Sequence, residues 1–397
     1  MRTVKSLAPI LILLILSYYG FHNYDQIPAT VINGIIFLPV MLAILVIVLS
    51  IHFNRSPVFF YTLLIISANV VLGLGLIQIE SSIPLAYALV SSFLPLLLLS
   101  FTVLPERGIF SVRAIPAYLL LSISLVFILF MVKLSPAWAL QFFLTDWLPA
   151  RYFDWTSQSQ TVVMISMVVF IYMLVLCFLR GSPHIAAGLG VLVMLIVQLN
   201  SGDASRSLNI FSSIALMMCL YAVLQESWHM AYLDELTELP ARRALREKFQ
   251  QLSGLYTIAM LDVDHFKKFN DTYGHDTGDA VLRMIAGKLK KVTGGGAPYR
   301  YGGEEFSVVF TGKSAKEAKA YLDTLRETIA NSTFVVNRAS RRKGDVKTKP
   351  KKRKTVTVTV SIGVADSAGS ASPWDVLKSA DKALYRAKGK GRNCVCS

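Results

Sequence analysis

Residues 298–310 read Pro-Tyr-Arg-Tyr-Gly-Gly-Glu-Glu-Phe-Ser-Val-Val-Phe, and this stretch decides the fold of the C-terminal part of the chain. Apolar and aromatic residues flank the pair Gly302-Gly303, a pattern typical of two antiparallel strands joined by a tight turn. The turn also carries the adjacent carboxylates Glu304 and Glu305. The stretch therefore predicts a β-hairpin with an acidic tip.

The sequence around this hairpin alternates between helical and strand patterns. Residues 255–263 are mostly apolar until Asp262, which predicts a buried strand with an acidic end. We predict helices over residues 240–252, 264–273, 276–292, 314–331 and 373–388, and further strands over 298–301, 305–310, 333–337 and 355–362. The pattern predicts an α/β fold with a central, mostly antiparallel sheet and flanking helices.

Two acidic clusters are predicted at strand ends, Asp262 with Asp264 and Glu304 with Glu305. If the two strands are neighbours in the sheet, Asp262 lies near Glu304. Carboxylates that are brought together repel one another unless a cation lies between them, and Mg²⁺ prefers such oxygen ligands. Bound Mg²⁺ can stabilise a displacement at phosphorus. The alternative interpretation is a pair of acidic turns that face water.

Other residues are suited to binding phosphate. The segment Lys388-Gly-Lys-Gly-Arg392 closes the last predicted helix and can reach phosphate oxygens. Lys267 and the backbone amides of His265 and Phe266 lie at a predicted helix start, where anions are stabilised. The chain has no Gly-x4-Gly-Lys-Ser/Thr loop, which excludes a P-loop protein.

A pair of side chains is suited to reading a nucleobase. Asn270 and Asp279 flank the short segment that begins at Tyr273. An amide and a carboxylate can together bind the edge of guanine, since the carboxylate accepts hydrogen bonds from its N–H groups.

The N-terminal half has a different composition. The 397-residue chain is 54% hydrophobic and 16% charged, whereas a globular chain is about 45–50% apolar and about 25% charged. The first 225 residues carry nine Lys or Arg and six Asp or Glu, and residues 226–397 carry 31 and 19. The formal net charge of +15 therefore belongs mainly to the C-terminal part.

We predict eight membrane-spanning helices in the first 225 residues, since most apolar runs there reach the ~18–20 residues that cross a bilayer. The runs cover residues 7–24, 30–51, 57–79, 83–104, 112–134, 160–179, 184–200 and 207–226. The seventh run is short, which leaves seven spans, or six with a re-entrant segment, as alternatives.

The distribution of charge predicts the orientation of these helices. With eight spans and a cytoplasmic N-terminus, the inner segments contain six Lys or Arg and the outer loops three, in agreement with the positive-inside rule. The first run lacks a small-x-small cleavage site, so we interpret it as an uncleaved span. The longest predicted outer loop, 135–159, contains four Trp or Tyr residues and is either an anchor or a sensing surface.

The junction between the two parts contains neither Gly nor Pro over residues 221–239, which predicts a helix that continues out of the last span. We place the membrane domain at 1–225, a connecting helix at 226–233 and the C-terminal domain at 234–397. The four cysteines predict no disulfide framework, and Cys394 with Cys396 is weak support for zinc.

The C-terminal motifs resemble one known family. Arg300-Tyr-Gly-Gly-Glu-Glu-Phe306 resembles the signature of GGDEF-domain diguanylate cyclases. Further blocks are similar to that family in the same order: Asp234–Arg243, Leu261–His275, Val360–Val364 and Ala380–Asn393. The first 225 residues show no such match, and they look like the multi-spanning sensor or anchor modules often fused to this family.

The resemblance implies a reaction and a set of catalytic residues. Two GTP are condensed to cyclic di-GMP with release of two pyrophosphates, across a homodimer in which each domain holds one GTP. Asp262, the Val263 carbonyl and Glu304 are implied to hold Mg²⁺, with Mn²⁺ as an alternative. Glu304 or Glu305 is implied to deprotonate the 3′-hydroxyl, and we favour Glu304.

The resemblance also implies how the substrate is bound. Gly302 and Gly303 let the nucleotide approach the hairpin backbone. The remaining substrate-binding residues are Asn270 and Asp279 for guanine, Lys388 and Arg392 for the terminal phosphates, and the segment His265, Phe266 and Lys267. The presence of Asp279 favours GTP over ATP.

The sequence departs from the family pattern in two places. In the first of these blocks, Asp234–Arg243, which we call the opening block, the usual Gly and Asn are Glu238 and Ala241. We expect these changes to affect packing or signalling more than chemistry. The Arg-x-x-Asp motif of an inhibitory product site is replaced by Thr293–Gly296. We therefore predict that this form of product inhibition is absent.

A strongly basic segment lies between two predicted strands. Ten of the 17 residues in 338–354 are Lys or Arg and one is Asp, a net charge of +9. The segment is a solvated loop, a contact for anionic lipid headgroups, or a binding site for a nucleotide, a nucleic acid or an acidic partner. Because most of the excess charge lies in this one loop, we expect no specific nucleic acid partner.

The leading hypothesis is a diguanylate cyclase of the bacterial inner membrane, multi-pass, with a cytoplasmic catalytic domain. The first alternative is a GGDEF-like nucleotide receptor or scaffold without turnover. The second is a transporter with a regulatory domain, which would place several polar residues within spans. The few that are present, chiefly Asn33, Asn69 and Gln198, are interpreted as helix-packing contacts.

Overall fold

The computed structural model of the protein describes residues 2–73, 83–105, 108–134, 136–201, 204–336, 354–368 and 372–397. The chain forms two compact units, Met1–Ser227 and Trp228–Ser397. Of the basic segment 338–354, all residues except Lys354 lie outside the described ranges, so the interpretations of this segment remain predictions.

The first unit is helical. Its α-helices are α1 (Arg2–His22), α2 (Ala29–Ile35), α3 (Leu38–His52), α4 (Ser56–Gly73), α5 (Ile83–Val103), α6 (Ile115–Leu134), α7 (Ala137–Leu144), α8 (Gln160–Arg180), α9 (Pro183–Asn200) and α10 (Ala204–Tyr232). The helix predicted over 221–239 ends at Tyr232, because Leu233 pairs with Pro240 in an isolated antiparallel bridge.

Five helices in the described ranges are long and apolar enough to cross a membrane: Leu85–Val103, Val112–Leu134, Gln160–Arg180, Pro183–Asn200 and Leu208–Tyr232. Three shorter apolar helices cover Leu7–His22, Leu38–His52 and Ser56–Val70. The predicted run 30–51 is divided between α2 and α3, and Pro39 lies in the first turn of α3, where its missing N–H is tolerated. The structure thus supports five of the eight predicted spans by length and composition.

Helix α9 lies at the centre of the first unit and contacts α1, α4, α5 and α8. Its small residues permit this close packing, since a Cβ on Gly190 would lie 2.5 Å from Met218 Sδ and 2.7 Å from Ile10 Cγ2. Polar residues also join the helices. Gln198 Nε2 donates to Asn69 Oδ1 at 3.3 Å, which is a packing contact of the kind predicted for these two residues.

A charged cluster lies near the end of the first unit. Glu226, only 7% exposed, accepts a hydrogen bond from the backbone N–H of His184 at 3.1 Å. Its Oε1 lies 2.6 Å from His184 Nδ1 and its Oε2 lies 3.5 Å from Arg55 Nε. These contacts attach α10 to the starts of α4 and α9.

The second unit contains the predicted mostly antiparallel sheet with helices on both faces. Its strand order is β2-β3-β1-β6-β7, in which only β6 and β7 are parallel. The strands are β1 (Tyr256–Val263), β2 (Ala297–Gly302), β3 (Glu305–Thr311), β4 (Phe334–Val336), β5 (Lys354–Val356), β6 (Val360–Asp366) and β7 (Val395–Cys396). The helices are α11 (Arg242–Gln250), α12 (Phe266–Tyr273), α13 (His275–Leu289), α14 (Ala315–Ala330) and α15 (Pro373–Gly389).

The predicted strand 355–362 is wrong in its bounds, because it merges two strands of different sheets. Strand β5 pairs with β4 in a separate two-stranded sheet, whereas β6 pairs with β1 in the central sheet. The short strand β7 was not predicted. An apolar run shows burial, but it does not show which partner strand provides the hydrogen bonds.

Alternate residues of β1 point to opposite faces of the sheet and pack in two separate hydrophobic cores. Leu261 and Val263 pack in a cluster with α13 and α14, whereas Ile258 and Met260 pack in a cluster with α11 and α15. All eight residues of β1 are buried. Asp262 is therefore held at the end of a strand that packing fixes on both faces.

Candidate active site

The hairpin predicted at Gly302-Gly303 joins β2 to β3. Gly303 has a φ of +51°, in the left-handed region that glycine adopts without strain, and the register shifts between Arg300 and Gly302. Because β3 pairs with β1, Glu305 lies directly opposite Asp262. The structure thus brings the carboxylates Asp262, Glu304 and Glu305 together, and we call them the acidic cluster.

Negative charge exceeds positive charge around the acidic cluster. Burial raises the pKa of Glu304, and the Asp262 carboxylate raises it further. Burial and Asp262 also raise the pKa of Glu305, and Asp381 adds to this effect. Lys388 opposes these shifts, since its Nζ lies 2.8 Å from Asp262 Oδ2. One ammonium group thus faces several carboxylates.

The donor set of the acidic cluster fits Mg²⁺ that arrives with a triphosphate. Within the described ranges, no group of three or more His, Cys, Asp or Glu side chains is placed to hold a metal. Mg²⁺, however, usually binds proteins through one or two carboxylates and takes its other ligands from phosphates and water. Asp262, Glu304 and the Val263 carbonyl at the end of β1 offer such oxygens, and a cation there would relieve the repulsion that raises the carboxyl pKa values.

Asp264 does not belong to the acidic cluster, which corrects its predicted pairing with Asp262. Its carboxylate accepts hydrogen bonds from Thr359 Oγ1 at 2.7 Å, Ser361 Oγ at 2.6 Å and the backbone N–H of Asn393 at 3.1 Å. The side chain ties the end of β1 to the start of β6 and to the turn before β7. Asp264 is therefore a structural carboxylate.

The segment His265–Lys267 begins helix α12. His265 precedes the helix with a φ of +57°, and the helix begins at Phe266, two residues later than predicted. The Phe266 side chain is buried in the core, whereas His265 and Lys267 are exposed. Only the backbone of Phe266 is thus available to a ligand.

Helices α12 and α13 bring Asn270 close to Gly278, the residue before Asp279. Asn270 Oδ1 occupies the space that a Cβ on Gly278 would need. This oxygen is buried and has no hydrogen-bond partner among the described residues. A buried acceptor without a partner is uncommon in folded proteins. Asn270 is therefore suited to a ligand that donates a hydrogen bond.

Lys388 and Arg392 lie at the end of α15. Lys388 is in the last turn and reaches the acidic cluster through Asp262. Arg392 follows the helix in a left-handed conformation and its side chain is exposed. The structure thus brings Lys388 to the acidic cluster, whereas it places Arg392 in the adjacent turn.

The role of Arg300 was not predicted from the sequence. Its guanidinium lies 2.6 Å from Asp234 Oδ1 and donates to the Gly303 carbonyl at 2.7 Å. Although burial opposes it, hydrogen bonds from Thr237 and Arg300 lower the pKa of Asp234. Arg300 thus fixes the hairpin tip against the opening block. Arg300 and Asp234 both lie in motifs that resemble the family. The sequence alone could not show that they contact each other, because they are 66 positions apart.

The two departures in the opening block have local structural consequences. Glu238 has a φ of +58°, so the chain needs a left-handed residue where the family has Gly. Ala241 is the N-cap of α11, where Asn would accept a hydrogen bond from a free backbone N–H. Both substitutions therefore affect the stability of this block.

The segment Thr293–Gly296 forms a tight glycine turn. Gly294 has a φ of +73°, and a Cβ there would lie 2.5 Å from the ring of Tyr321. A Cβ on Gly296 would lie 2.8 Å from the ring of Phe310. The turn is closely packed against α14 and β3, and it carries no charged side chain.

Comparison with known proteins places this unit in a family. Residues 231–394 match the family described as diguanylate cyclase, GGDEF domain. The chain is similar to diguanylate cyclase DgcP of Pseudomonas aeruginosa, with 35% identity over 178 residues that cover 43% of this chain and 24% of DgcP. It is also similar to the response regulator PleD of Caulobacter vibrioides, with 36% identity that covers 43% of this chain and 37% of PleD.

Among solved structures, the GGDEF domain of DgcB from Caulobacter crescentus in complex with c-di-GMP is 31% identical. The match covers 42% of this chain and 95% of that domain, with a TM-score of 0.37. The chain spans less than half the length of the curated relatives named above. The family match over residues 231–394 supports the GGDEF domain that the motifs predict.

Proposed function

We propose that the protein is a membrane-anchored diguanylate cyclase, which condenses two GTP into cyclic di-GMP and two pyrophosphates. The observation that carries the proposal is the acidic cluster at the hairpin tip of a domain that matches the GGDEF family, in which Lys388 forms an ion pair with Asp262. Curated relatives named as diguanylate cyclases support the same activity.

Binding of the triphosphate follows from the charges around the hairpin. Asp262, Glu304 and the Val263 carbonyl would hold Mg²⁺. When bound, the ion would neutralise charge on the phosphates. Lys388 would exchange its contact with Asp262 for a phosphate oxygen, and the exposed Arg392 would bind a terminal phosphate. The exposed glycines 302 and 303 leave the hairpin backbone open to the nucleotide.

Proton transfer is assigned to Glu304, with Glu305 beside it. Burial and like charge raise the pKa of Glu304, which brings it closer to neutral pH and makes it a better base. The 3′-hydroxyl proton would pass to this carboxylate as the 3′-oxygen attacks the α-phosphorus of the other GTP. A P–O bond forms, and the bond to the leaving pyrophosphate breaks.

The substrate and the assembly follow from the same site. Asn270 and Asp279, at the junction of α12 and α13, would bind the guanine edge. One domain holds one GTP, and each 3′-hydroxyl must reach the phosphate of a second molecule. A homodimer of GGDEF domains is therefore required for turnover.

The helical unit would anchor the protein in the bacterial inner membrane. Five long apolar helices support membrane insertion, and the positive-inside pattern of the sequence favours a cytoplasmic GGDEF domain. Cysteine labelling of single-cysteine variants in intact cells would test this orientation. Labelling of Cys394 by a reagent that cannot enter the cell would contradict it.

The activity is tested with the full-length chain in lipid nanodiscs, supplied with GTP and Mg²⁺. We expect two pyrophosphates for each cyclic di-GMP, identified by mass spectrometry, and no product from ATP. GTP binding without cyclic di-GMP would instead identify a nucleotide receptor.

We further propose that cyclic di-GMP does not inhibit the enzyme through Thr293–Gly296. The turn offers no charged group to a phosphate and is packed against Tyr321. Initial rates measured with added cyclic di-GMP test this proposal. Inhibition that disappears when Thr293 alone is replaced by Ala would contradict it.

A further inference from the structure

A half-open cavity of about 220 Å³ lies between α5, α8 and α9 of the helical unit. Its walls are mainly apolar and include Val162, Phe170 and Leu195. A dry cavity of ~150 Å³ lined by apolar side chains binds benzene, so this one has room for about ten non-hydrogen atoms. The proposed catalytic site uses no residue of this cavity.

One wall carries a polar group without a partner. Ser91, in α5, is 2% exposed, and its hydroxyl oxygen has no hydrogen-bond partner among the described residues. The neighbouring Ser92 is equally buried, but its hydroxyl donates to the Ala88 carbonyl at 2.8 Å. A buried serine in a helix usually donates its hydroxyl to the carbonyl four residues earlier in this way. Of these two neighbours, Ser91 is the one that lines the cavity and the one whose hydroxyl is unpaired.

The same point in the helix also presents a backbone acceptor. Pro95 lies inside α5, four residues after Ser91, and it also lines the cavity. Proline has no N–H, so the Ser91 carbonyl lacks its regular helical donor. A hydroxyl and a carbonyl of one residue are therefore both free of their usual helical bonds beside an apolar space.

We propose that this cavity binds a small amphiphilic alcohol, with one hydroxyl on an apolar body of about ten non-hydrogen atoms. A ligand hydroxyl donates to the Ser91 carbonyl and accepts from the Ser91 hydroxyl, so it satisfies both groups. An ether or a ketone of equal size only accepts, which leaves the carbonyl unpaired. The apolar body would contact Val162, Phe170 and Leu195.

Polar side chains complete one end of the cavity without competing for this ligand. Gln158 Nε2 donates to the Leu199 carbonyl at 2.7 Å, and Asn200 Nδ2 donates to the Ile196 carbonyl at 3.0 Å. Trp155 also lines the cavity, and its Nε1 donates to the Tyr152 carbonyl at 3.0 Å. These three N–H groups are engaged. Ser166 also lines the cavity, but only at Ser91 does an unpaired hydroxyl accompany a carbonyl that faces a proline, so we assign the selection of the ligand to Ser91.

Photolabelling of the full-length chain tests the proposal independently of catalysis. The protein, in phosphatidylcholine nanodiscs, is irradiated with 1-nonanol that carries a diazirine in its chain, and labelled peptides are mapped by mass spectrometry. We expect labelling of residues 155–170 and 195–200, removed by excess 1-nonanol. Methyl octyl ether should compete about fivefold less well, because it lacks the donor.

Matched variants identify the group responsible. Ser91→Ala should weaken competition by 1-nonanol about fivefold, and Pro95→Ala should do the same because its N–H returns to the Ser91 carbonyl. Ser92→Ala is the control, expected to bind as the unaltered protein does. Equal competition in Ser91→Ala and Ser92→Ala would overturn the proposal. Equal competition by nonane and 1-nonanol would also overturn it, and would identify a cavity for lipid chains.

Discussion

Asp262 and Asp264 lie two positions apart at the end of β1, yet their surroundings are opposite. Asp264 accepts three hydrogen bonds from Thr359, Ser361 and Asn393. Asp262 lies opposite Glu305 on the neighbouring strand. The cation close to it is Lys388, whose side chain is about one third exposed. One carboxylate is supplied with donors by the fold, and the other is placed among like charges.

The difference separates a structural carboxylate from a binding carboxylate. Buried charges are normally paired, and a cluster of like charges costs free energy unless something outside the chain compensates it. The fold satisfies Asp264 and leaves the acidic cluster short of positive charge. We infer that a ligand supplies this charge.

Replacing Glu304 by Gln should give the largest effect. The change keeps the shape of the side chain but removes the base and one metal ligand, so cyclic di-GMP formation should fall about 10²–10⁴-fold. Glu327→Gln, on the exposed side of α14, is the matched control and should retain full turnover. A Glu304→Gln enzyme within threefold of the unaltered rate would show that the cluster is not catalytic.

Asp264→Asn should destabilise the domain more than Asp262→Asn does. The first change disrupts several hydrogen bonds to a buried carboxylate, at a cost of about 2 kcal/mol. The second loses one ion pair but also reduces repulsion from Glu304 and Glu305. Hydrogen exchange of the β1 and β6 amides measures the loss of stability in each variant. A larger loss in Asp262→Asn than in Asp264→Asn would contradict the difference inferred between the two carboxylates.

The acidic cluster should also respond to pH in the absence of metal. The pKa values of Glu304 and Glu305 are raised in the folded protein, so folding favours their protonated forms. Their contribution to stability is fully present below the usual pKa near 4.5 and is lost as the pH rises through the raised values. Glu304→Gln should therefore gain thermal stability relative to the unaltered protein between pH 4 and pH 7. Added Mg²⁺ with GTP should reduce that gain in calorimetric scans.

Ala241→Asn gives the smallest expected effect and shows what a missing partner costs away from the site. An N-cap acceptor at the start of α11 should stabilise the domain by about 1 kcal/mol. Slower exchange of the first amides of α11 would show this gain. Unchanged exchange there would mean that the helix start is already satisfied.

The hairpin and the strand before it were predictable because their patterns are local. A mostly apolar run predicted β1, and the Gly-Gly turn with its flanking residues predicted β2 and β3. The pairing of β1 with β3 places Asp262 opposite Glu305. The distinction between Asp262 and Asp264 was not predictable. It depends on donors from Thr359, Ser361 and Asn393, which are about a hundred positions away in the chain.

Other differences have the same origin. The sequence 355–362 is uniformly suited to a strand, and only pairing divides it between β5 and β6. The helix after the last span ends at Tyr232 because Leu233 pairs with Pro240, and neither Gly nor Pro marks that end before position 240. Long-range hydrogen bonds, rather than local propensity, decide these features.

We propose that Asp262, and not Asp264, binds the metal together with the nucleotide. Calorimetric titration of the full-length protein with a non-hydrolysable GTP analogue, with and without Mg²⁺, tests it directly. We predict that Asp262→Asn lowers the Mg²⁺-dependent part of the affinity at least about tenfold, whereas folded Asp264→Asn retains it. Equal Mg²⁺-dependent affinity in Asp262→Asn and the unaltered protein would contradict this account.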